Sequence, residues 1–130
     1  MRWLAVLLVL WCGVAEASTQ PIWGVSLNAT SATDTEYSGV MGYFPMRATE
    51  AETFQPVPAA GTFFEACIWL SDAPGAGKSY TYTYRTGATG SAMSDTALTI
   101  TIADTNTRGC NKTVAVAVTA GGRSGTLDRL

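Results

Sequence analysis

The chain has 130 residues, a formal net charge of −2 and only 14% charged residues, a length that favours one domain with a single hydrophobic core. Acidic residues outnumber basic ones by 10 to 8, and the basic residues form no cluster. Because nucleic-acid-binding proteins concentrate Lys and Arg on one surface, we expect no DNA or RNA partner.

The first seventeen residues have the order of a secretory signal peptide. A basic Arg2 precedes an unbroken apolar run over residues 3–14, and the small residues Ala15 and Ala17 follow it. This run is shorter than the roughly 20 residues that span a bilayer. We therefore predict cleavage after Ala17, no membrane span in the mature chain, and secretion or display at a cell or virion surface.

Removal of residues 1–17 leaves two cysteines, Cys67 and Cys110. In an oxidising compartment two such cysteines are expected to form a disulfide bond. The alternative is two separate thiols, because Cys67 lies inside a predicted strand that Cys110 has to reach.

The predicted domain, residues 18–130, divides into a less regular part over residues 18–50 and core strands over residues 51–120. In the first part, the apolar segment "PIWGVSL" at residues 21–27 predicts one strand. Period-two alternation then appears in "TFFEACIWL", "SYTYTYR", "ALTITIA" and "TVAVAVT". Such alternation indicates antiparallel strands with one buried face, so an all-β sandwich or jelly roll is the predicted architecture. The predicted core side chains are Phe64, Ala66, Ile68, Leu70, Tyr80, Tyr82, Tyr84, Leu98, Ile100, Ile102, Val114, Val116 and Val118.

The segment "SDAPGAGKSYTYTYR" contains Gly77-Lys78-Ser79, which matches the end of a phosphate-binding loop. A true phosphate loop has an earlier glycine where this chain has Asp72, and a helix where this chain has a strand pattern. We therefore predict a hairpin turn, in which Gly75 and Gly77 supply positive φ angles.

A resemblance rests on "PVPAAGTFFEACIWLSDAPGAGKSYTYTYR" and "SDTALTITIAD". These segments, over about residues 56–103, resemble a pattern in phage, bacterial and metagenomic jelly-roll or β-sandwich proteins of virions and cell surfaces. The resemblance implies a structural or adhesive module and supplies no catalytic residues.

The last segment, "RSGTLDRL", has few apolar residues, which predicts a sandwich that lacks a full final strand. An incomplete sandwich exposes a sheet edge, which a neighbouring subunit could fill. The candidate donor strand carries Ile22, Trp23, Val25 and Leu27. The alternatives are a truncated reading frame and a monomer that closes the edge with its own N-terminal strand.

The sequence contains no histidine, which excludes Ser-His-Asp and Cys-His catalysis and His-ligated metal sites. Paired carboxylates such as Glu50 with Glu52, or Asp95 with Asp104, are more typical of solvated loops than of a glycosidase. Calcium binding at Asp104 and Asn106 is weighed against an ordinary Asx turn. We predict no enzymatic activity, no cofactor and no metal.

Carbohydrate binding is the alternative function, because aromatic side chains on a β-sandwich can stack against sugars. The candidate platform residues are Trp69, Trp23 and Tyr37, with core packing as the competing interpretation of each. The sequence thus predicts an exported, non-catalytic structural or adhesive β module whose partners are copies of itself or surface glycans.

Overall fold

The structure, a computed structural model, describes residues 20–22, 24–26, 33–43 and 45–129. These residues form eleven strands and one 3-10 turn at Glu50–Glu52, with no α-helix among them, which confirms the all-β prediction. No helix in these ranges has the length and apolarity to cross a membrane. The predicted signal peptide lies outside the described residues. The strands are β1 (Gly24–Val25), β2 (Glu36–Ser38), β3 (Gly42–Tyr43), β4 (Gln55–Pro56), β5 (Gly61–Phe63), β6 (Ala66–Trp69), β7 (Gly75–Gly87), β8 (Met93–Asp104), β9 (Arg108–Asn111), β10 (Val116–Val118) and β11 (Arg123–Arg129).

The main sheet has the strand order β2-β11-β7-β8, and β4 pairs with β11 beside β2. All of its pairings are antiparallel. The expectation of a missing final strand is wrong, because β11 pairs with β7 along seven residues and with β2 on its other side. Small residues explain the error: Ser124 and Gly125 are buried in β11, and such residues carry little hydrophobic signal.

The core lies on one face of β7 and β8, as the alternation of their sequences predicts. Tyr82, Tyr84 and Ile100 are buried, and Leu98 and Ile102 are each only 1% exposed. The threonines between them on β8 are exposed. Period two along β8 therefore separates a buried face from a solvent face. On β7 the threonine between the two buried tyrosines, Thr83, is itself buried at 6% exposure.

Two short antiparallel ribbons contact this face. We call β6 with β9 the stapled ribbon and β5 with β10 the second ribbon. From the stapled ribbon, Ile68 and Leu70 pack against the core, and Gly109 lies so close that an added Cβ would be 2.7 Å from the Cγ2 of Ile100. From the second ribbon, Phe63 stacks on Tyr84 with 4.4 Å between ring centroids.

The predicted strand "TFFEACIWL" is divided into β5 and β6. Glu65 lies between them with a φ of 54°, in the left-handed region that ends an extended strand. The alternation changes phase at this residue, so Phe63 rather than Phe64 packs inward, and Phe64 is 45% exposed. The prediction that Phe64 shares the buried face of Ile68 is wrong for this reason.

The glycine-rich segment is a bulge rather than the predicted hairpin turn. β6 and β7 do not pair with each other, and β7 already begins at Gly75. Gly75 lies opposite Asp104 and Ser79 lies opposite Ala103, so three residues of β7 bulge outward between these pairs. The Gly77 N–H donates to Oδ1 of Asp104 at 2.8 Å, which occupies a group that a phosphate would need.

Both end strands of the main sheet have further partners within the described residues. The side-chain amide of Asn111 donates to the Thr99 carbonyl of β8 at 2.9 Å, and Asn106 donates to the Ala103 carbonyl. At the other end, Tyr37 of β2 and Arg47 exchange two backbone hydrogen bonds of 2.7 and 2.9 Å. These contacts occupy some of the backbone groups at the two edges of the sheet.

Candidate functional site

A cleft of about 940 Å³ opens between the core face of the main sheet and the chain over residues 62–73, and residues 20–22 and 24–26 form part of its wall. Its floor contains Tyr82, Tyr84, Leu98 and Ile100. The same face that supplies the core therefore also lines the cleft with apolar and aromatic side chains.

The rim of the cleft carries exposed hydrophobic side chains. The described residues include six large hydrophobic side chains that are exposed, and four of them line the cleft. We call these four the rim: Ile22 at 46% exposure, Val25 at 61%, Phe64 at 45% and Trp69 at 59%. Exposed apolar side chains that gather around one cleft are typical of interaction sites in soluble proteins.

Trp69 lies at the end of the stapled ribbon, where β6 and β9 bring it opposite Arg108. The Arg108 guanidinium carbon is 5.0 Å from the centroid of the Trp69 ring, within cation–π range. The core-packing interpretation of Trp69 is wrong, because its side chain is 59% exposed. Sequence reasoning missed Arg108, since "RGCN" has no apolar alternation to identify β9 as a strand.

The disulfide prediction is confirmed. Cys67 and Cys110 are directly opposite each other in the stapled ribbon, with 4.1 Å between their Cα atoms, and are disulfide-bonded. This pair is two residues from the Trp69–Arg108 pair on both strands. The covalent bond therefore fixes the backbone that carries Trp69.

The other predicted platform residues do not join Trp69. Tyr37 is half-buried in β2 and does not line the cleft. Trp23 and Leu27 lie outside the described residues. Of the predicted donor strand, Ile22 and Val25 line the cleft, and the segment is paired through β1 with two residues of β3.

The described charged residues that line the cleft are both acidic, Glu65 and Asp72. Burial raises the pKa of Tyr84 above its usual value, and a hydrogen bond from Ser124 partly offsets this rise. Tyr84 therefore keeps its hydroxyl proton at neutral pH. The cleft offers aromatic rings, hydroxyl groups and carboxylates, without a lining Lys or Arg among the described residues.

The predicted carboxylate pairs are not brought together in this cleft. Asp95 and Asp104 lie nine residues apart on β8, on the order of 30 Å along an extended strand, far beyond the spacing of glycosidase carboxylates. Asp95 instead meets Glu50, since both bind the Arg85 guanidinium. No group of three or more potential metal-ligating side chains occurs in the described ranges.

Arg85 links three parts of the chain. Its Nε donates to Glu50 in the 3-10 turn at 2.5 Å, Nη1 donates to Asp95, and Nη2 donates to the Met93 carbonyl at 2.8 Å. Because the Arg85 and Glu50 side chains are only 13% and 19% exposed, this cluster is less screened by solvent than a surface pair.

Replacing Arg85 by Met (R85M) is expected to lower the free energy of unfolding by about 2 kcal/mol, because two carboxylates lose their shared partner. The matched control is R47M, since Arg47 forms only a 4.0 Å exposed pair with Glu52, and a change below about 0.5 kcal/mol is expected there. Urea denaturation measures both. Equal effects of the two variants would contradict a structural role for the Arg85 cluster.

Comparisons with known proteins returned no similarity on which to base a function. No protein-family model matches the chain, and no curated protein or solved structure matches it significantly. The resemblance to virion and surface jelly-roll proteins therefore stays a prediction.

Proposed function

We propose that this chain is a non-catalytic, exported structural or adhesive β module of a virion or cell surface, and that it binds surface glycans in the cleft. We interpret the main sheet with its two ribbons as a β-sandwich of jelly-roll type, and residues 1–17 as a cleaved signal peptide. The observation that carries this proposal is the convergence of four exposed hydrophobic side chains on the rim of one aromatic cleft.

The chemistry of the cleft favours a glycan over other occupants. Sugar rings present apolar C–H faces that pack against aromatic rings such as Trp69, and their hydroxyl groups donate to carboxylates such as Glu65 and Asp72. Both acids line the cleft with Trp69. An acidic peptide would meet like charge there, and the described lining contains no Lys or Arg to compensate for it.

The disulfide supports this assignment through the position of Trp69. A binding residue on a flexible ribbon loses conformational entropy when the ligand binds. Because the Cys67–Cys110 bond lies two residues away, the backbone at Trp69 is already ordered. A preorganised aromatic side chain at 59% exposure combines accessibility with a fixed position.

Residues 18–130 are to be tested on a glycan array, and positive glycans titrated against tryptophan fluorescence. This mature chain has two tryptophans, Trp23 and Trp69, so W23F isolates the Trp69 signal. We expect saturable quenching in W23F, and W69A is expected to weaken binding by about tenfold or more, as for loss of a stacked aromatic contact.

The matched control for W69A is Y43A, because Tyr43 is also a 59% exposed aromatic residue but does not line the cleft. It should bind glycans like the unsubstituted protein. Glycan binding is contradicted if the array shows no ligand. Its placement in the cleft is contradicted if Y43A and W69A weaken binding equally.

A second candidate function is self-assembly through the N-terminal segment. Its original premise, a missing final strand, does not hold, but the exposure of Ile22 and Val25 favours it independently. The segment is paired through two residues of β1, so another copy can exchange it at little cost in hydrogen bonds. Light scattering over a concentration series, followed by electron microscopy, tests this function. Growth that V25D abolishes supports assembly, whereas a monomer at every concentration excludes it.

A further inference from the structure

Trp69 belongs to two surfaces. It lines the cleft, and its ring also contacts the Arg108 guanidinium. Arg108 itself does not line the cleft, whereas the acidic residues Glu65 and Asp72 do. Charge is therefore divided around Trp69, with carboxylates in the cleft lining and a guanidinium against the ring but outside that lining.

Arg108 is available to a ligand. Its side chain is exposed, and no carboxylate of the described residues lies within 4.0 Å of it. Its position is nevertheless defined, because β9 pairs it directly with Trp69, two residues from the Cys67–Cys110 pair. The guanidinium is thus held beside the aromatic ring while its N–H donors remain free to bind an anion.

We propose that the ligand is an acidic saccharide, in which a carboxylate or sulfate group binds Arg108 while a neutral sugar unit packs on Trp69 and extends into the cleft. A guanidinium presents parallel N–H donors that match a carboxylate or sulfate bidentately. The acidic cleft lining repels a second anionic group. The arrangement therefore selects a glycan that carries its charge at the outer end.

This inference rests on the proposed glycan binding, and the experiment separates the two. Calorimetric titration of residues 18–130 compares a neutral galactose oligomer with a galacturonate-terminated oligomer and a sulfate-terminated oligomer of the same length. We expect the acidic ligands to bind about tenfold more tightly than the neutral one, as for a charge-assisted hydrogen bond. The preference should shrink as NaCl is raised from 0.05 to about 0.5 M, because salt screens an exposed charge.

The Arg108→Met variant should lose the preference for acidic ligands and retain the affinity for the neutral one. Arg47→Met is the matched control, because Arg47 is an exposed arginine far along the chain from the stapled ribbon, and it should leave the preference unchanged. Comparison of the uronate and sulfate ligands identifies which anion binds Arg108.

Each other outcome overturns a stated part of the proposal. Equal affinity for neutral and acidic oligomers overturns the role of Arg108 and leaves glycan binding intact. Equal weakening of both ligand types by Arg108→Met means that Arg108 only positions Trp69, which also overturns the inference. Binding of none of the three oligomers, together with an empty glycan array, overturns the proposed function itself.

Discussion

Replacing both disulfide cysteines by alanine (C67A/C110A) is expected to lower the free energy of unfolding by about 4 kcal/mol. The bond joins residues 43 positions apart, and the chain-entropy model assigns a loop of this length roughly that stabilisation, because the unfolded chain gains conformational freedom when the bond is lost. Urea denaturation of residues 18–130 measures the change.

Reduction by dithiothreitol provides the control for this prediction. The reductant should shift the unfolding midpoint of the unsubstituted protein to that of C67A/C110A, and it should leave the double variant unchanged. A loss of unfolding free energy smaller than about 1 kcal/mol in the double variant would mean that the bond does not stabilise the protein by constraining the unfolded chain. The stapled ribbon would then be held mainly by its packing on Ile100 and Ile102.

Replacing Ile102 by alanine (I102A) is expected to cost about 2–5 kcal/mol of unfolding free energy, because the substitution leaves a cavity in a packed core. Ile102 is 1% exposed and belongs to the buried cluster with Met46, Tyr82 and Ile100. Gly109 of the stapled ribbon lies directly against it, since an added Cβ there would be 2.8 Å from the Cγ1 of Ile102. Since Gly109 has no side chain that could move into the space, this contact cannot fill the void.

The same substitution at Ile22 is the matched control. Ile22 is 46% exposed on the rim, so I22A removes little buried surface and should change stability by less than about 0.5 kcal/mol. Thermal and urea unfolding of both variants should agree in rank. A small effect of I102A would contradict the assignment of the core to this face of β8.

Local alternation predicted the parts of the fold that local chemistry decides. Tyr82 and Ile100 face the core as their strands' period of two indicates, because successive side chains of any extended strand point to opposite faces. The Cys67–Cys110 bond was predictable from the number of cysteines and the expected oxidising compartment.

Long-range pairing decides the parts that the sequence did not reveal. β9 and β11 consist largely of small and polar residues, and they become strands because β6 and β7 supply partners for their backbones. The left-handed Glu65 changes the phase of the alternation without any glycine to signal it. Hydrophobic periodicity predicts neither the pairing of these strands nor the change of phase at Glu65.

Of the Trp69–Arg108 pair, the sequence identified only Trp69 as a candidate binding residue. Trp69 stood out as an aromatic residue on the face opposite Ile68, with core packing as the competing interpretation, and it is 59% exposed in the structure. Arg108 is 39 positions away along the chain, and only the register of β6 with β9 places it beside the ring. A site formed across two strands requires their register, which depends on the tertiary structure.

The amide of Asn111 has a consequence for covalent modification. Asn111-Lys112-Thr113 has the N-x-T sequence of an N-glycosylation acceptor, and the nitrogen that accepts the sugar is Nδ2. In the folded chain this nitrogen donates to the Thr99 carbonyl, while Oδ1 accepts from the N–H of Val114. A transferase must therefore reach Asn111 before β8 and β9 come together. In a glycosylating host, modification at this position would compete with folding, and the mature protein would resist it.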